Sequence, residues 1–162
     1  MKRYLKFASV GLALIGVVLM FFTQVVVKWG VSGIKESIDF HALVGGNYSS
    51  TYVKGVAFNG VGSGLAGYIL AASGALIILI TVLIPYLKEH DVLSMVVTGI
   101  GVICLIIGAI LIFFIRKNFA DANGILSGQV YVGWAAIAAG SCVSLAAGLG
   151  ALGMMLDLAG TN

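Results

Sequence analysis

Residues 92–115 read VLSMVVTGIGVICLIIGAILIFFI, and no charged side chain interrupts them. A helix needs about 20 consecutive apolar residues to cross a bilayer, whereas a barrel strand needs only about 10, in alternation. This run is long and continuous, so it reads as a spanning helix. Three further apolar stretches accompany it, at 7–27, 65–87 and 130–156. The chain as a whole is 60% hydrophobic and 9% charged, against about 25% charged residues in an ordinary soluble domain. Much of a small domain's surface stays wet, so a soluble fold could not hide this much apolar area. Lipid can cover it, and the mean hydropathy of +1.13 agrees.

The expected fold is therefore an all-α membrane protein. A single domain over 1–162 forms a four-transmembrane-helix bundle, with a small β-containing extracytoplasmic loop. The links are an outer loop over 28–63, an inner turn of Lys88-Glu89-His90-Asp91, and a second outer loop over 116–129. Lys2, Arg3 and Lys6 precede the first apolar run, as in a secretory signal. That run is too long for a signal core, however, and no A-x-A cleavage site follows it. An uncleaved helix is expected.

Both termini are expected in the cytoplasm, because the first helix usually dominates orientation and carries three tightly placed cations. The overall count does not help. Lys2, Arg3, Lys6 and Lys88 would lie inside, and Lys28, Lys35, Lys54, Arg116 and Lys117 outside, four against five.

The first outer loop has pattern. Residues 25–31 are rich in β-branched side chains, which favour strands. Tyr52, Lys54, Val56 and Phe58 alternate with Thr51, Val53, Gly55 and Ala57, and Gly45-Gly46-Asn47 reads as a turn between them. A small antiparallel sheet outside the membrane is expected. Asn47-Tyr48-Ser49 matches a glycosylation sequon, a motif short enough to arise by chance. A weak internal repeat relates residues 14–22 to 106–114, and Gly67-Tyr68 with Gly74 to Gly133-Trp134 with Gly140.

No ionisable residue lies near the middle of any span, where ion-coupled transporters usually keep one. Asp157 falls at the end of the fourth helix and is expected to be solvated there. Cys104 and Cys142 lie in apolar segments and read as packing residues. His41 and His90 lie in loops without further ligands, so no metal site is expected, and no cofactor or catalytic set either. Scattered Lys and Arg exclude a nucleic-acid-binding patch.

Small residues make the clearest pattern within the spans. Ala136, Gly140, Ser144 and Gly148 recur every four residues and are expected to share a buried packing face, with Val143 pointing outward. Gly67, Ala71 and Ala75 repeat the spacing in the second helix. Such faces let helix backbones approach closely in lipid, within one bundle or between copies. Trp29, Tyr68, Tyr131 and Trp134 near the outer ends, and Tyr4 and Tyr86 near the inner ones, read as an interfacial aromatic belt.

Two stretches resemble the claudin and peripheral-myelin-protein superfamily of four-transmembrane proteins. Val27-Lys28-Trp29 follows the first helix where claudins have a tryptophan, and Tyr131-Val132-Gly133-Trp134 enters the fourth helix much as a claudin Tyr-x-Gly-Trp stretch does. The loop lengths follow the same plan. The chain departs from claudins in having neither the Gly-Leu-Trp motif nor the two first-loop cysteines, and Gly64-Leu65-Ala66 stands where an arginine usually precedes the second helix. The resemblance implies a non-enzymatic structural, interaction or accessory protein of the cell membrane. Its partners would be membrane lipids and another membrane protein or a second copy, engaged through the first outer loop and the small-residue helix faces. A small channel or transporter is the alternative from another class.

Overall fold

The fold was obtained as a computed structural model, which describes residues 2–30, 33–44, 47–84 and 90–159. Gly45 and Gly46 of the expected outer-loop turn, and Lys88 and Glu89 of the expected inner turn, lie outside the described residues. Four helices are long and apolar enough to cross a membrane. The first, Arg3–Phe21, joins α1 (Lys2–Val18) to a 3-10 turn; the others lie in α2 (Gly62–Leu83), α3 (Asp91–Phe113) and α5 (Trp134–Ala159). A shorter helix, α4 (Ile115–Asn123), follows α3 directly. The strands are β1 (Val25–Trp29), β2 (Ile34–Ile38), β3 (Asn47–Ser49), β4 (Ala57–Asn59) and β5 (Val130–Val132). All five lie at one end of the bundle, the cap end, and Lys2 and Ala159, the first and last described residues, lie at the other.

Each spanning helix buries a seam of residues spaced alternately three and four apart. On α5 the seam is Ala136, Ala139, Val143, Ala146, Gly150, Gly153 and Asp157. On α3 it is Ser94, Thr98, Gly101, Leu105, Gly108 and Ile112. On α2 it is Gly64, Gly67, Ala71, Gly74, Ile78 and Thr81. A 3.5-residue period almost matches the 3.6 residues of a helical turn, so the seam stays on one face. The intervening positions are exposed on the outside of the bundle, among them Val96, Ile100, Ile103 and Ile107 on α3.

This period corrects the expected α5 face. A strict four-residue step advances about 40° round the helix each time. From Ala136 three such steps carry the stripe off the core. Ala136 and Gly140 are buried, but Ser144 and Gly148 are exposed. Val143, expected to point outward, is fully buried. Gly67, Ala71 and Ala75 are all buried in α2.

α2 and α3 approach each other backbone to backbone. A Cβ built on Gly74 would lie 2.7 Å from the Gly101 carbonyl oxygen, and one on Gly108 would lie 2.8 Å from that of Gly67. The two pairs, Gly67 with Gly108 and Gly74 with Gly101, are each seven residues apart along their helices. Without side chains there, the backbones touch, and dispersion contacts supply the association that hydrophobicity cannot supply in lipid.

The ends of the expected spans belong to the cap. The first helix was expected over 7–27. In the structure a 3-10 turn at Leu19–Phe21 closes it, and Val25–Val27 form β1. The buried Gln24 makes this exit feasible, because its Nε2 donates to the Leu19 and Phe22 carbonyls at 2.8 and 3.0 Å. The Leu19 carbonyl already accepts from the Phe22 amide of the 3-10 turn at 3.2 Å, so Gln24 adds a second donor there and caps the Phe22 carbonyl just beyond the helix. The fourth helix starts at Trp134 rather than at 130, because Val130–Val132 pair with β1. The outer segment 116–129, expected as a loop, contains most of α4. Ile115, Phe119 and Ala120 are buried at helical spacing, and Gly124 ends the helix at φ +62°. The alternation at 51–58 yields only the short β4.

Candidate functional site: the cap and a buried ion pair

The cap is built from both segments expected as outer loops. Its main sheet has the order β2-β1-β5, all antiparallel, and β3 pairs with β4 separately. The register sets Val25 opposite Ile38 and Val132, and Val27 opposite Glu36 and Val130. Val25, Val27, Ile38, Val130 and Glu36 are buried, so this face turns to the core. The aromatic rings of Trp29, Phe58 and Phe119 stack in series beneath it, with centroids 5.7 Å apart at each step.

Glu36 holds the first loop together. Its carboxylate accepts from the Trp29 indole Nε1 at 3.0 Å, the Ser50 hydroxyl at 2.7 Å and the Thr51 amide at 2.7 Å. A buried carboxylate is tolerable only when donors surround it in this way. Asn123 on α4 clamps β4: its Oδ1 accepts from the Asn59 amide at 2.6 Å, and its Nδ2 donates to the Asn59 carbonyl at 3.0 Å.

The cap is also joined to the bundle. Tyr68 of α2 donates its hydroxyl to Gln24 Oε1 at 2.7 Å. The amides of Gly133 and Ala135 donate to the carbonyls of Gln24 and Thr23, so the chain just before β1 satisfies the start of α5. A Cβ on Gly133 would fall 2.2 Å from the Thr23 oxygen, so only glycine permits this junction. Trp134 then packs on Phe22, with centroids 5.7 Å apart. The residues that carried the family resemblance, Tyr131 to Trp134, thus form the joint between sheet and membrane.

The opposite face of the sheet is open. Val26, Lys28, Lys35, Ser37 and Tyr131 line a groove of about 440 Å³. Lys28 and Lys35 sit directly across from each other in the register. Like charges so placed on neighbouring strands are destabilising. Trp29 is half-buried in the cap core, whereas Tyr131 and Trp134 are exposed.

At the other end of the molecule, Asp157 is buried at 2% exposure, contrary to its expected solvation. Its carboxylate pairs with Lys6 of α1 at 2.5 Å. Ser94 of α3 joins both groups, accepting from Lys6 Nζ at 3.0 Å and donating to Asp157 at 3.3 Å. Thr98 and Thr81 extend the polar seam between α3 and α2, and Ser9 ties α1 to the Ala146 carbonyl of α5. The sequence did contain a signal: Asp157 keeps step with the buried seam of α5, one turn beyond Gly153. Lys6 stands likewise one turn before Ser9 and Val10 on the buried face of α1. The cluster can join three helices, but it has no nucleophile and base aimed at an open cavity. Among the described residues no three His, Cys, Asp or Glu side chains gather as metal ligands. No protein family, curated protein or solved structure matches the chain.

Proposed function

We propose that the protein is a non-enzymatic, multi-pass membrane protein that docks an acidic segment of another membrane protein on the open face of its cap. The observation that carries this reading is the cross-strand pair of Lys28 and Lys35 beside the exposed Tyr131. Two cations face each other across a sheet at a cost to stability, around a groove with an aromatic wall. An acidic partner would relieve that repulsion, and complementary charge governs encounter rate and specificity at such surfaces. The cross-linked build of the cap supports the same reading, since a preorganised surface binds with less ordering cost. So does the interior of the bundle. Tyr68, Ile78, Leu105 and Ile112 fill it, so a pore through one copy would have to displace them.

The plan of four helices with a sheet drawn from both outer segments agrees with the claudin-like resemblance. In that frame the cap is extracytoplasmic and both termini are cytoplasmic. The small residues of α2 and α3 serve the bundle itself, and the partner meets the cap. Charge reversal tests the reading. Lys28→Glu with Lys35→Glu should abolish capture of the partner from native membranes in mild detergent, while Lys54→Glu, outside the groove, should leave it intact. Equal capture by both variants would refute the assigned face.

A further inference from the structure

A second surface, unrelated to the cap groove, lies on the lipid-facing side of α3 and α5. Ile106, Ala109, Ile110 and Phe113 of α3 face Ser144 and Ala147 of α5 across an apolar groove of about 320 Å³. Toward the cap, Phe113 also borders a second recess of about 310 Å³, where Phe114, Arg116, Lys117 and Asp121 meet Val132. The two recesses share Phe113 in their walls. Their residues form one helical line, because α3 runs into α4 through Phe114, whose carbonyl accepts from the Asn118 amide at 3.0 Å.

We propose that this line binds one anionic phospholipid. The acyl chain lies between α3 and α5, and the phosphate sits at Arg116 and Lys117. Length supports the assignment. Ile106 to Phe113 spans about 10 Å of helix, most of the ~15 Å hydrocarbon depth of one leaflet. The cations then stand one turn further on, at headgroup depth. Charge supports it as well, with two cations against the single carboxylate of Asp121 at the mouth. The small residues of α5 make the room. Gly140 lies under the Phe113 ring, where a Cβ would come within 2.7 Å of it. Ser144 turns its hydroxyl back to the Gly140 carbonyl at 2.8 Å, leaving an apolar wall toward the groove. The stripe of Gly140 and Ser144, which leaves the bundle seam, thereby acquires a role.

The test is native mass spectrometry of the full-length protein in mild detergent. Phosphatidylglycerol and phosphatidylcholine with the same acyl chains are the probes, and free glycerol phosphate is the competitor. Phosphatidylglycerol should bind in a single copy and resist glycerol phosphate. Lys117→Gln should weaken it about fivefold, the contribution typical of one cation near a lipid surface. Ser144→Phe, which fills the groove from a lipid-exposed position, should weaken both lipids. Equal binding of the two lipids, or an unchanged preference in Lys117→Gln, would overturn the headgroup site. Displacement by glycerol phosphate, or full binding by Ser144→Phe, would overturn the acyl groove and leave a surface phosphate contact only.

Discussion

A carboxylate and an ammonium 2.5 Å apart, each under 5% exposed and with a serine hydroxyl between them, join three helices at the end of the bundle opposite the cap. Removing one partner leaves the other buried without its counter-ion, at a typical cost of about 3–5 kcal/mol. Replacing both with apolar groups of similar size removes that burden. Lys6→Met or Asp157→Leu alone should therefore lower the thermal midpoint in detergent sharply, and the double variant should recover most of the loss. Additive losses in the double variant would mean that the two residues act independently. Neither partner was legible one residue at a time. Lys6 reads as one of three flanking cations, and Asp157 as a polar helix end. Only the phase of each residue within its helix marks it as buried, and that phase depends on which of two similar periods the helix follows.

The choice of period decides most at the scale of the element. The four helices were legible because continuous apolar length and absence of charge need no phase. Their packing was not, because small residues occur throughout α5 and fit several spacings. Ala136, Gly140, Ser144 and Gly148 satisfy a four-residue rule, yet only the alternating three-and-four rule stays on one face. The glycine pairs of α2 and α3 were visible in outline as two seven-residue spacings, at 67 and 74 and at 101 and 108. Pairing them requires knowing that the helices run antiparallel in that register. The consequence is measurable. Gly108→Ala would thrust a methyl group against the Gly67 carbonyl and the Ala71 amide, which are backbone atoms that cannot swing aside. Overpacking of this kind costs about 1–3 kcal/mol. Gly148→Ala meets open space, and alanine improves helix propensity by up to about 1 kcal/mol. In thermal unfolding, Gly108→Ala should melt below the parent and Gly148→Ala at or above it. The reverse order would mean that Gly108 does not face α2 and that Gly148 does not face open space. The cap follows similar logic. Its β1 strand was signalled by three consecutive valines, but α4 was concealed in a polar segment whose buried residues, Ile115, Phe119 and Ala120, are few.

Across the whole molecule, the two outer segments meet in one structure, and that structure is fastened to the bundle at Gln24, Tyr68 and Gly133. Sequence alone shows that both segments lie on one side of the membrane. It does not show that β5 from the second pairs with β1 from the first, because three residues carry too little pattern to announce a strand. That pairing brings Tyr131 beside Val26, with Lys28 and Lys35 further along the same face, and so creates the surface on which the functional reading depends. The most direct test is site-specific photo-crosslinking from that surface in native membranes. A photoreactive residue at Tyr131 or Ser37 should give one discrete adduct, and the adduct should vanish when Lys28 and Lys35 are both changed to Glu. The same probe at lipid-facing Ile103 should give none of it. An adduct that forms equally from Ile103, or that survives the charge reversal, would contradict docking through the cap.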